Sequence, residues 1–275
     1  METSVSFGFR KVSEAEKRKL VDEHFDSIAA KYDWMNTVLS FGLHYIWKRT
    51  AVRMSGIKAG DIVLDVCGGT ADLALLAADP VGTAGRVVVY DINRAMMRIG
   101  RAKVALSQLS ERVSFVQGDA ERISFPDSSF DAVMVGFGIR NFVHLQEGLK
   151  EMHRVLKKGG IFTCLEFSRP DPAWFRALYN FYSFVIMPLA GSILAGTRKA
   201  YTYLPESIRL FPLPDELSAM LQNIGFSKIV HRRLTNGIAV VHRAEKGWAT
   251  GAAACHTAHT KLYSKMERGD EEDKF

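Results

Sequence analysis

Residues Ile62–Ala78, IVLDVCGGTADLALLAA, decide the architecture. A short β-branched run, Ile62–Val66, ends in a turn containing Gly68 and Gly69 and passes into a helical pattern over Leu73–Ala78. Strand, glycine turn and helix in direct succession form the repeating unit of a parallel sheet wrapped by helices. Working outward, the alternation recurs, with strands expected at Arg86–Tyr90, Val113–Gln117, Phe130–Val135 and Gly160–Glu166. Two last runs, Lys228–Leu234 and Gly237–Arg243, flank Asn236-Gly237, a short-turn signal that predicts an antiparallel hairpin. The expected fold is α/β: a mainly parallel seven-stranded sheet closed by this hairpin, with helices on both faces.

The rest of the chain divides around that core. Residues 1–59 read as an N-terminal helical segment, with one amphipathic helix over Glu14–Tyr32 (Leu20, His24, Ile28 and Tyr32 on one face) and a second over Leu43–Met54. Residues 60–246 form the sheet domain, interrupted by an insertion at 170–214, and 247–275 read as a disordered or weakly helical tail. Within the insertion, 177–197 carry no charge over nearly the ~20 residues that cross a bilayer. Asn180, Ser183, Pro188 and Ser192 argue instead for a buried or membrane-dipping lid.

Composition excludes several classes. With 275 residues, 47% hydrophobic and 24% charged, the chain is neither disordered throughout nor collagen-like. Cys67, Cys164 and Cys255 stand far apart with no CxxC pair, which points to a reducing, cytoplasmic setting and away from structural zinc. Cys255, His256 and His259 in the Ala/Thr-rich tail are too loosely held to make a metal site, and no metal is expected. The N-terminus lacks the apolar run of a secretory signal. A net charge of +6 suggests an anionic partner. Without zinc-finger spacing, a helix-turn-helix signal or a basic stripe with aromatics, nucleic acid is set behind a membrane surface.

The acids around the glycine turn select the ligand. A dinucleotide site wants GxGxxG and no negative charge beside the pyrophosphate, but here the pattern is absent and Asp65 and Asp72 flank the turn. Two carboxylates suit a cation such as the amino group and sulfonium of S-adenosyl-L-methionine. Asp91 lies about 20 residues on, where a carboxylate accepts from ribose hydroxyls. Asp119, after the third strand, is placed to accept from an adenine amine. The competing reading makes all three acids turn residues and helix caps.

Four stretches carry a family resemblance. Tyr32–Trp47, YDWMNTVLSFGLHYIW, resembles the signature of the ubiquinone/menaquinone biosynthesis C-methyltransferases, the UbiE family. Arg154–Ser168, RVLKKGGIFTCLEFS, is similar to that family's second motif, with Lys158 where Pro or Val is usual. The likeness extends over FGIRN at Phe137–Asn141 and AYTYLPESIRLFP at Ala200–Pro212, and spans Phe9 to Lys246. It implies a class I S-adenosylmethionine-dependent methyltransferase, Rossmann-like, acting on a polyprenylated quinol. By motif it implies cofactor contacts at Thr70, Asp91, Asp119 and Ala120, with Asp65, Gly68, Gly69, Ile92 and Gly136 beside them. Two departures stand out: the loop reads GGTA where the family usually has GGTG, so that Ala71 adds a methyl near the cofactor's approach, and Gly136 replaces a Ser of some relatives.

Methylating a quinol carbon requires a ring hydroxyl to share or lose its proton while a phenolate-like oxygen is held. Arg140 and Asn141, just past the fourth strand, are the expected anion stabilisers. His44, Asp33 and Tyr32 are the candidate proton acceptors or relays, with His44 first on its ordinary pKa. Trp174, Phe175, Phe181, Phe184 and Met187, bracketed by Arg176, Arg198 and Lys199, suggest that residues 174–199 touch an anionic membrane surface, the alternative being burial in a homodimer. The competing functions are methylation of another apolar phenol or lipid, and a non-catalytic scaffold for quinone biosynthesis.

Overall fold

The computed structural model describes residues 4–195 and 198–247, with the backbone alone for 194, 195 and 198–200. A hairpin of β1 (Ser4–Phe7) and β2 (Arg10–Ser13) leads into α1 (Glu14–Ile28), α2 (Tyr32–Leu39) and α3 (Leu43–Ser55). The core then alternates β3 (Ile62–Val66), α4 (Asp72–Ala78), β4 (Arg86–Asp91), α5 (Arg94–Ala105), β5 (Val113–Gln117), β6 (Phe130–Gly136), α6 (Leu145–Val155) and β7 (Leu156–Phe167). An inserted run of α7 (Ala173–Phe181), α8 (Met187–Ala190) and α9 (Arg198–Leu210) precedes α10 (Pro214–Ile224), β8 (Phe226–Leu234) and β9 (Ala239–Lys246).

The seven-stranded sheet runs β5-β4-β3-β6-β7-β9-β8, with β3 to β7 parallel and β9 antiparallel to both neighbours. Val63, Leu64 and Val66 have no exposed surface, as a strand covered on both faces requires. Burying each such side chain contributes about 1.5–3 kcal/mol. Apolar side chains of α3, α4 and α5 (Val52, Ala74, Val104) pack one face, and those of α6 and α10 (Leu149, Leu217) the other. Chain order reverses at β3, so the carboxyl ends of β3 and β6 open a crevice where ligands of such sheets bind.

Departures from the sequence expectations have local causes. The first helix stops at Ile28, and a 3-10 turn over Ala29–Lys31 redirects the chain so that Tyr32 opens a new helix. The β1–β2 hairpin, turning at Gly8 (φ 55°), was not foreseen, and it is held to the body by Phe7 stacking on Tyr203 with ring centres 4.2 Å apart. β7 begins four residues early, at Leu156, with a register shift against β6 and Gly159 at φ 76°. The β8–β9 hairpin forms, but its loop is Thr235–Ile238: Leu234 pairs with Ala239, and Asn236 and Gly237 take φ 52° and 90°. In the insertion, π-helical turns at Tyr182–Ile186 and Gly191–Ala195 break the uncharged stretch. No helix among the described residues is long and apolar enough to cross a membrane.

Candidate active site

The crevice at the end of β3 is shaped by an unusual backbone. Cys67, Gly69 and Ala71 all adopt positive φ, at 53°, 49° and 65°. At Gly68 a Cβ would sit 2.8 Å from an Asp65 carboxylate oxygen, so only glycine leaves that acid unobstructed. The Asp65 side chain is fully buried and lines the cleft, and among the described residues neither oxygen makes a hydrogen bond of normal geometry, the Ala74 N–H giving it only partial relief. Burial, reinforced by Asp91 and Asp72, pushes its carboxyl up to about 8. A buried acid without a full partner in a cleft wall fits a cationic ligand group.

Asp91 accepts the Gly69 N–H at 2.9 Å on one oxygen and the Asn93 N–H at 2.8 Å on the other. Burial lifts it to about 6. Each oxygen keeps a second lone pair for a ligand hydroxyl. Ile92, half exposed, continues the wall, and Ala120 and Gly136 complete it. Asp119 accepts the Glu121 N–H at 2.9 Å and pairs with Arg18 of α1 at 2.8 Å. Other ties also draw α1 across the cleft: Arg18 to Glu121, Lys17 to the Phe142 carbonyl, and the Asn93 amide to Asp22 and Asp26.

Asp72 departs from its expected role beside the ligand. Its oxygens lie 2.5 Å from Lys48 and 2.5 Å from Lys103. Burial alone would raise this carboxyl, but the two ammonium groups outweigh it and hold it below its ordinary value. Lys103 also reaches Asp33 at 2.5 Å, and Asp33 accepts the Thr70 hydroxyl at 2.7 Å. With both oxygens engaged and outside both cavity walls, Asp33 ties α2 to the cofactor loop, and the geometry does not support it as a proton acceptor. Ala71 also corrects an expectation. Its methyl is fully buried in the core cluster that also holds Val52 and Leu73 and is not part of the cleft wall, so the departure from glycine costs backbone strain, about 1–2 kcal/mol.

A second cavity of about 480 Å³ adjoins the first. Phe25, Tyr32 and Phe137 line both, so Tyr32 stands at the junction. The wall is largely aromatic and aliphatic, including Phe167, Phe175, Tyr179 and Met187. Among its polar groups are Arg140, His24 and His44. The 3-10 turn Ile139–Asn141 divides two adjacent residues between the cavities: Arg140 faces the apolar one and Asn141 the cleft. Arg140 donates to Glu166 at 2.9 Å and to the Phe137 carbonyl, while its Nε is buried without a partner among the described residues. Asn141 accepts the Tyr203 hydroxyl at 3.0 Å and donates to the Gly138 carbonyl at 3.2 Å, which fixes its amide.

His44 lies 3.1 Å from the Thr37 hydroxyl through Nε2. Thr37 spends its proton on the Asp33 carbonyl at 2.9 Å, so Nε2 is the protonated nitrogen and Nδ1 carries a lone pair without a partner among the described residues. Burial, aided by Lys48, lowers the imidazole to about 4, well below the ordinary value on which it was ranked.

Sequence comparison agrees with this geometry. The sequence model of the ubiE/COQ5 methyltransferase family matches residues 4–246. The chain belongs to that family. A protein of Pseudomonas putida named "Ubiquinone/menaquinone biosynthesis C-methyltransferase UbiE" is 44% identical over 245 residues, covering 89% of this chain and 96% of the relative. A Pseudomonas fluorescens relative of the same name is equally similar. Among solved structures, the [4+2]-cyclase SpnF superposes with a TM-score of 0.61 at 17% identity over 82% of this chain and 96% of its own. A Thermotoga maritima SAM-dependent methyltransferase superposes with a TM-score of 0.55 at 18% identity, over 82% of this chain and 98% of its own. These two show the fold, a class I methyltransferase sheet.

In this ubiE/COQ5 chain, Asp65, Gly68, Gly69, Thr70, Asp91, Ile92, Asp119, Ala120 and Gly136 all line one cleft. The apolar lid residues split. Trp174 and Phe184 are exposed and outside the cavity wall, Trp174 at 70%, Phe181 is 57% exposed at the cavity mouth, and Met187 is buried and, with Phe175, faces the cavity. The side chains of Arg198 and Lys199 and the tail with Cys255, His256 and His259 lie outside the described residues. Sequence reasoning missed Lys48, Glu121, Glu166 and Tyr203, and it read His24 only as one position of an amphipathic helix face that the structure turns toward the apolar cavity. The available signal for His24 was a polar residue on an otherwise apolar helix face.

Proposed function

We propose that this chain is an S-adenosylmethionine-dependent C-methyltransferase that methylates a polyprenylated quinol of menaquinone or ubiquinone biosynthesis, the activity named for its relatives. The observation that carries the reading is the junction at Tyr32 and Phe137 between an acid-lined cleft and an apolar cavity holding one guanidinium. Asp65 would face the cationic amino acid portion of the methyl donor, Asp91 its ribose, and Asp119 its adenine amine once Arg18 yields that oxygen. Bound there, the donor supplies an electrophilic methyl group.

The acceptor ring lies at the junction with its isoprenoid chain along the aromatic wall. Arg140, fixed by Glu166, holds the ring oxygen as negative charge develops, and Asn141, fixed by Tyr203, faces the cleft side. A neutral imidazole of the cavity wall takes the hydroxyl proton. The mouth, with Phe41, Leu178 and Phe181 more than half exposed, offers apolar surface to a membrane in which the isoprenoid chain dissolves.

The test is transfer of labelled methyl from S-adenosylmethionine to reduced demethylmenaquinol and to 2-methoxy-6-polyprenyl-1,4-benzoquinol in parallel. Transfer to either, abolished in Asp91→Ala, supports the reading and names the acceptor. Absence of transfer to both, with the donor measurably bound, refutes it.

A further inference from the structure

Two histidines face the acceptor cavity, and they stand in different surroundings. The charges acting on His44 are Lys48, Asp72, Asp33 and Lys103, the network beneath the cofactor loop. The charge acting on His24 is Arg140. His24 projects from α1 with its ring edge-on to Phe25 (5.0 Å, 89°) and tilted against Tyr203 (5.1 Å, 64°). Phe25 lines both cavities, and Tyr203 is the hydroxyl that fixes Asn141. The His24 ring is therefore packed between the cavity junction and the residue that orients the anion-stabilising turn. No hydrogen bond from the described residues occupies its nitrogens.

We propose that His24 is a catalytic residue, the imidazole that receives the ring-hydroxyl proton of the acceptor whose oxygen Arg140 holds. The assignment rests on the quinol-methyltransferase reading above. Arg140 cannot take the proton, being a permanent cation. Asp33 is consumed by Thr70 and Lys103. Glu166, the acid nearest Arg140, is buried with Arg140 and the Phe167 N–H on its oxygens. Around His24 and Arg140 stand Tyr32 of α2 and Tyr203 of α9, whose hydroxyl burial pushes up to about 12 and so keeps protonated. Burial and then Arg140 hold the imidazole near 4, so it enters the reaction neutral.

The proton balance closes. As the ring carbon forms its bond to the methyl group, the S–CH₃ pair stays on sulfur and the hydroxyl proton passes to a His24 nitrogen. The proton displaced from the methylated carbon leaves to water as the ring regains aromaticity. His24 then returns its proton to the ring oxygen, so one proton is released per turnover.

Two measurements test this on the full chain. In the donor-free protein, ¹⁵N spectra of the histidine rings are followed while a short-chain prenylated 1,4-naphthohydroquinone is added. The His24 nitrogens are expected to shift on saturation, and unmoved His24 resonances with the ligand bound would overturn the proposal. With donor present, His24→Gln and His24→Ala are expected to lose about 100-fold in kcat with a much smaller change in KM, and imidazole should partly restore the alanine variant. His24→Gln within threefold of the parent kcat, while His44→Gln is slow, would transfer the role to His44. If a variant folds poorly, the ring shifts of the unsubstituted protein decide. A parent enzyme that methylates no quinol would defeat the functional reading itself, whereas an active parent with an equally active His24→Gln defeats only this assignment.

Discussion

Replacing Asp72 by Asn isolates the energetic core of the site. Asp72 lies 2.5 Å from Lys48, whose side chain is only 7% exposed and has no other ion pair among the described residues. Lys103, more exposed, keeps Asp33 when Asp72 is gone. Removing one member of a buried pair costs about 3–5 kcal/mol because the remaining charge is stranded. An Asn oxygen still accepts one hydrogen bond, so about 3 kcal/mol is expected. In a folded unit of this size each kcal/mol moves Tm by about 2–4 °C, so Asp72→Asn should melt roughly 10 °C lower by calorimetry. The decisive control is Lys48→Met with Asp72→Leu, which removes both charges and should return most of the lost stability. An Asp72→Asn protein melting within a degree of the parent, or a double variant no better than the single, would refute the claim that Lys48 depends on Asp72.

Three further outcomes follow from the same geometry. Because Asp65 is raised to about 8 in the free protein and a bound cation favours its ionised form, S-adenosylmethionine binding should tighten as pH rises toward 8 and release a proton, both read by calorimetry in buffers of different ionisation enthalpy, with Asp65→Asn flattening the profile. The linked stability has the opposite sign: its raised folded pKa stabilises the free protein below the unfolded value of about 4, and that contribution is lost as pH rises through 8. Asp91→Ala should weaken donor binding at least about 100-fold by equilibrium dialysis while circular dichroism stays unchanged, since a carboxylate accepting two hydroxyls is worth about 1.5–3 kcal/mol per bond. Phe181→Glu with Leu189→Glu, both exposed on the lid, should abolish flotation with anionic vesicles and leave melting unaltered, and retained flotation would remove this face as the contact.

What the sequence made legible was whatever a local pattern encodes. The ends of β3 to β6, Asp65, Asp91 and the helix opening at Leu43 follow from periodicity and spacing, and the structure places them within a residue. Cross-chain pairing was not legible. Nothing near Asp72 announces that Lys48 and Lys103, 24 and 31 residues away, neutralise it. The same holds for Asp33, which looked like a proton acceptor until its partners on the cofactor loop and α5 were in view. Ala71 shows the limit from the other side: the departure from glycine is visible in the sequence, but the direction of its methyl depends on a left-handed backbone that the sequence does not state.

The fastening of α1 over the cofactor cleft has a bearing on traffic. Its clasps are ion pairs and side-chain hydrogen bonds, such as Arg18 to Asp119 and the Asn93 amide donating to Asp22, which water and salt loosen. The rim of the neighbouring cavity, with Phe41 at 81% exposure, is loosened by oil instead. On the proposed reading, donor and acceptor would therefore reach the junction from opposite sides, one past polar contacts and the other past an apolar rim, so that the spent donor and the methylated quinol could leave by separate routes.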